Sequence, residues 1–152
     1  MNMTEQATRS LKDYEKKYAS VEMDAPRVQV DAAKARGTWL APKNWLQMSP
    51  SIFLFNDNGT KFDVEKMGGI KKLAKAIIAD LVEPGKTWRS LGERVKQAAL
   101  RRLAYEYPEI TYGHDNYPGS LLISRGLYGR KADTVKKEVA EEDELEVVSE
   151  LD

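Results

Sequence analysis

Apolar residues return at steps of three and four over much of this 152-residue chain, and those steps predict most of its helices. The longest pattern runs from Trp88 to Tyr107. At 100° per residue, Trp88, Leu91, Val95, Ala98, Ala99 and Leu103 share one arc, with Thr87 placed as cap and Pro108 as stop. Before it, Ile70, Leu73, Ala74, Ile77, Ile78 and Leu81 mark the buried side of a helix over Ile70–Val82, which turns Lys72 and Lys75 outward. Asp63 can cap its weaker beginning near Val64, where Gly68 and Gly69 lower helix propensity. A first helix is expected from Thr4 to about Ala19, on the stripe Leu11, Tyr14, Tyr18 and Val21, and Asp24-Ala25-Pro26 breaks it.

Elsewhere the helical period is lost. "RVQV" reads as a short extended piece, and "DAAKARG" as a short helix capped by Asp31 and stopped by Gly37. Pro42 starts a turn that carries Trp39 and Trp45 toward the core. "IFLF" at Ile52–Phe55 is short, apolar and followed by the turn cluster "NDNG", so it predicts a strand. "EITY" and "SLLIS", on either side of the turn-rich "GHDNYPG", predict two more. The expected fold is α+β: one helix-rich domain over residues 1–131 with a small antiparallel sheet, then a disordered acidic tail over 132–152. Its element order is that of a winged-helix domain, although no residue-level motif of a helix-turn-helix family accompanies it.

Composition narrows the field. Cysteine is absent, which removes disulfides, thiolate metal sites and cysteine nucleophiles together, and fits a cytoplasmic setting without requiring one. The opening "MNMTEQATRSLKDYEKKY" lacks the basic-then-apolar plan of a secretory signal. The longest apolar run, "IFLF", is far short of the ~20 residues a bilayer span needs, so no membrane association is expected.

Charge changes the picture most. The net charge of zero hides a split. Residues 133–152 hold nine acidic and two basic side chains, a net of −7, whereas residues 1–132 hold 22 basic and 15 acidic, a net of +7. Residues 66–102 alone carry ten basic against three acidic, again +7. A basic body with an acidic tail points to a polyanionic partner for the body.

Candidate chemistry is thin. Gly85-Lys86-Thr87 resembles the end of a phosphate-binding loop, but that motif needs a glycine where this chain has Asp80, so the stretch reads as a turn and a cap. His114 is the sole histidine, which excludes multi-histidine metal sites, and its turn-forming neighbours make it a polar loop residue. A small enzyme built on His114-Asp115 is the least favoured class. Body carboxylates are scattered and tail carboxylates lack a frame, so neither metal nor cofactor is expected. Asn58-Gly59-Thr60 matches a glycosylation sequon and serves better as turn chemistry.

Two functional expectations follow. The first is a non-enzymatic nucleic-acid-binding protein, accessory or regulatory, taking DNA or RNA. Arg89, Arg94, Lys96, Arg101 and Arg102 would contact phosphate, helped by Lys71, Lys72 and Lys75 and by Arg125, Arg130 and Lys131 of "RGLYGRK". Arg102 falls inside the apolar arc and can instead reach an acid within the fold. The tail, where Leu145, Val148 and Leu151 interrupt the acids at three-residue steps, would mask the basic face or recruit a protein partner. The second expectation is an interaction or assembly factor, of the kind found in phages and other viruses, using the same face and tail to bind proteins. Salt separates them, because phosphate binding weakens log-linearly with it.

Overall fold

Every apolar position assigned to the buried side of the second long helix is buried, and that helix forms the axis of the molecule. The computed structural model describes residues 3–129. Among these, five helices follow one another: α1 Met3–Lys17, α2 Arg27–Arg36, α3 Val64–Leu81, α4 Glu93–Glu106 and α5 over 117–129. Asp63 caps α3, its carboxylate accepting from the Lys66 N–H at 2.7 Å. Ile70, Leu73, Ala74, Ile77, Ile78 and Leu81 then meet Tyr14 and Tyr18 from α1, Ala98, Ala99, Leu100, Leu103 and Ala104 from α4, and Leu122, Ile123 and Leu127 from α5 in one core. Helices α1, α3 and α4 pack pairwise on one another.

Helix α5 packs on α3 in this core. A Cβ on Gly126 would stand 2.5 Å from Ile78 Cδ1, so any side chain here would have to displace the tip of that isoleucine. A second, smaller cluster joins Phe53 to Tyr117 and Leu121 of α5, with Trp45 and Met48 against it. Edge-to-face contacts of Tyr117 with Trp45 and Phe53, at centroid separations of 5.9 and 5.1 Å, fasten the 45–53 segment onto α5.

This all-helical arrangement overturns the expected α+β class and its winged-helix order. No strand or sheet occurs among the described residues, where the sole ladder pairing is an isolated bridge between Phe55 and Lys61. The causes are local. Pro50 opens a 3-10 turn, Pro50–Phe53, which takes up half of "IFLF" and leaves Leu54 and Phe55 extended before the 56–60 turn. Pro108 does the same to "EITY", as the turn Pro108–Thr111. "SLLIS" is helical: Pro118 sits in the first turn of α5, where a missing N–H costs nothing, and Leu127 continues the apolar side one turn past Ile123. A short apolar run cannot distinguish a strand from a buried helix by period alone.

Smaller corrections follow the same logic. Residues 27–30 are the first turn of α2 rather than extended, because Pro26 leads directly into the helix and its carbonyl accepts from Gln29 and Val30. Asp31 therefore lies within α2, paired with Arg27 at 3.3 Å, while Gly37 ends the helix at φ +78° as expected. The helix expected from Trp88 to Tyr107 is divided: a 3-10 turn Trp88–Ser90, extended Leu91 and Gly92, then α4. Residues 132–152, expected to be a disordered tail, lie outside the described residues.

Candidate functional site

The basic residues singled out along the chain fall into two sets with different surroundings. The first belongs to α4 and the turn before it. Arg94 grips Glu15 of α1 with two bonds, Nε to Oε2 at 3.0 Å and Nη2 to Oε1 at 2.5 Å. Those bonds hold the Glu15 carboxyl below its ordinary range. Arg101 donates to the carbonyls of Ala19 and Val21, both at 3.2 Å, and so ties down the chain leaving α1. Arg102 reaches Asp80 Oδ2 at 3.0 Å and also donates to the Tyr14 hydroxyl, which itself donates to Asp80 at 2.5 Å. Burial, then the bond to Asp80, drives the Tyr14 hydroxyl far above its ordinary pKa. Lys96 places its ammonium 4.8 Å from the Trp88 ring centre, a cation–π contact. Arg89 is exposed on the short turn.

The second set lies between α3 and α5. Lys71 and Lys75, one turn apart on α3, face Arg125 of α5 across a cleft of about 540 Å³. Leu122, Gly126 and Pro50 give it apolar surface, and Gln47 and Ser49 complete its lining. None of its lining residues is acidic. Among the described residues no ion pair involves Lys71, Lys75 or Arg125. Arg125 is nevertheless held in place: Nη2 donates to the Gln47 carbonyl at 2.6 Å and to the Met48 carbonyl at 3.1 Å. Neutral carbonyls fix the guanidinium without cancelling its charge. Lys72 is exposed on α3 and is not part of the cleft lining. Arg130 and Lys131 lie outside the described residues.

Energetics favour a role for this set beyond stability. Two lysines at i and i+4 repel, at about 0.2–0.5 kcal/mol, and no neighbouring carboxylate offsets them. A phosphate or carboxylate entering the cleft would meet three donors carried on two helices, of which Arg125 is held by carbonyls. The rest of the lining, Gln47 to Pro50 above all, had no signal in the sequence, since it reaches Arg125 from 77 and 78 residues away.

Other candidates separate from this cleft. His114 Nδ1 lies 3.3 Å from Asp115 Oδ2 with both side chains largely exposed, and among the described residues neither ring nitrogen bonds a hydroxyl. Gly85-Lys86-Thr87 precedes only the three-residue turn Trp88–Ser90, with the Thr87 N–H donating to Ser90 Oγ at 2.8 Å. Among the described residues no three of His, Cys, Asp and Glu come together as metal ligands, and no helix is long and apolar enough to cross a membrane. The chain matches no known protein family, no curated protein and no solved structure.

Proposed function

We propose that the protein is a non-enzymatic nucleic-acid-binding protein, accessory or regulatory in role, that takes phosphates into the cleft between α3 and α5. One observation carries this reading: Lys71, Lys75 and Arg125 converge on a single concavity whose lining holds no carboxylate. The arginines of α4 have the opposite role and hold α1 to the fold. Lys72 extends the positive surface outside the cleft. The 133–152 segment, with nine acidic against two basic residues, acts on the same cleft as a tethered competitor. Its place in the sequence supports this, because the segment begins eight residues after Arg125.

The test is fluorescence anisotropy of a labelled oligonucleotide against salt, comparing the wild-type chain with Lys71→Ala/Lys75→Ala. The lysines are better probes than Arg125, whose loss would also release the 47–48 carbonyls. The expected result is weaker binding in the double variant, with the log–log salt slope reduced by about 2, one for each phosphate contact. An unchanged slope removes the cleft from the reading. Capture of a protein partner that tolerates salt would favour the assembly-factor alternative.

A further inference from the structure

We infer that the α3–α5 cleft takes single-stranded nucleic acid in preference to duplex, with Tyr128 as a stacking platform for a base. This deepens the reading above and rests on it. Shape is the first ground. A duplex presents its phosphates on a convex surface with its bases enclosed, whereas the three cations line the walls of a concavity of about 540 Å³. Filling that concavity calls for a slender, flexible chain that can bend a phosphate inward. The second ground is the apolar part of the lining. Leu122, Pro50 and the bare backbone at Gly126 offer the flat face of a base or sugar a dry surface beside the cations.

Tyr128 supplies the third. It is 72% exposed, one of the few large apolar-bodied side chains that the fold leaves in solvent. It follows Arg125 by three residues on α5, so the two are neighbours along that helix, Arg125 in the lining of the cleft and Tyr128 exposed outside it. Aromatic rings left in water beside cations suit unpaired bases, whose faces are open, and have nothing to stack on in an intact duplex. A strand with one phosphate at Lys71, Lys75 and Arg125 would carry its next base out of the cleft past Arg125 toward this ring.

The experiment measures anisotropy of a fluorescein-labelled 20-mer of mixed DNA sequence, as single strand and as blunt duplex, at one salt concentration with the full chain. Wild type, Tyr128→Ala, Tyr128→Phe and Lys71→Glu/Lys75→Glu are compared. Tyr128 is exposed, so its replacement leaves the fold intact, and circular dichroism verifies this for each variant. The wild type is expected to bind single strand at least about tenfold tighter than duplex. Tyr128→Ala is expected to lower single-strand affinity roughly 5- to 150-fold, the range for losing one stacked base, and so to erase most of that preference. Tyr128→Phe retains it, since stacking needs the ring and not the hydroxyl. Equal affinity for both forms, or a Tyr128→Ala variant with undiminished preference, overturns the inference while leaving the cleft reading standing. Indifference of both forms to the Lys71→Glu/Lys75→Glu reversal overturns the cleft reading and this inference with it.

Discussion

On α4, three arginines turn toward groups of the molecule itself; at the α3–α5 cleft, two lysines have no partner among the described residues and an arginine has only backbone carbonyls. The charges are of one kind, and their employment differs. Arg94, Arg101 and Arg102 meet Glu15, the Ala19 and Val21 carbonyls, and the Asp80–Tyr14 pair, so each fastens α1 or α3 to α4. Lys71 and Lys75 meet no carboxylate among the described residues, and Arg125 meets only carbonyls. Basic residues become informative about a partner only after internal partners have been subtracted. On that measure the richest basic stretch in the sequence is mainly architectural, and the sparser pair of lysines is the better binding candidate.

Three substitutions and one truncation can break or sharpen this contrast. The largest effect on stability is expected from Arg102→Ala, which leaves Asp80 without its cation and with only the Tyr14 hydroxyl as partner in a partly buried setting. The cost is about 1–3 kcal/mol, below that of a fully buried pair because Asp80 is half exposed. A urea midpoint equal to wild type would contradict it, and oligonucleotide affinity should stay unchanged. Next comes Lys71→Ala/Lys75→Ala, with the reverse signature: stability within about 0.5 kcal/mol of wild type and a lower salt slope. A variant that loses stability instead would place these lysines in the architectural set.

Removing Val135–Asp152 is expected to tighten oligonucleotide binding modestly, most at low salt, where the Debye length is longest. Unchanged affinity across the salt range would leave the acidic segment without a role at the cleft. The smallest effect belongs to Arg94→Ala, and its dependence on pH is the useful part. Arg94 depresses the folded-state pKa of Glu15, so this pair contributes stability above the ordinary glutamate range and loses it as pH falls through the depressed value. The variant should therefore be slightly less stable than wild type at neutral pH and match it in acid. A difference that persists at low pH would mean that Arg94 acts by packing rather than by charge.

How much of this could be read from the sequence depended on how far apart the interacting residues lie. The buried side of α3 was legible because its period is local, and Asp63 and Gly37 punctuate helices by local chemistry. Arg102 was half legible, since its angle on the helix set it among apolar neighbours. The partners were not. Glu15 is 79 residues from Arg94, Tyr14 is 88 from Arg102, and Met48 is 77 from Arg125, so a count of charge along the chain sees none of them. The missing sheet has another cause. Phe53, Leu54 and Phe55 of "IFLF" and Ser120, Leu121, Leu122 and Ile123 of "SLLIS" are buried without a break, and such runs lose the alternation that separates strand from helix. Proline decided both cases, at Pro50 and at Pro118.

The bonds from Arg125 to the Gln47 and Met48 carbonyls have a consequence for motion. One guanidinium both faces the cleft and latches the 45–53 segment, so occupancy of the cleft and opening of that segment share a free energy. An anion that lets Arg125 keep its carbonyls would slow amide exchange across 45–53, and one that draws the side chain away would quicken it. The rate at which these amides take up deuterium, with and without a short oligonucleotide, thus reports from a segment that lines part of the cleft how the arginine divides itself between the two.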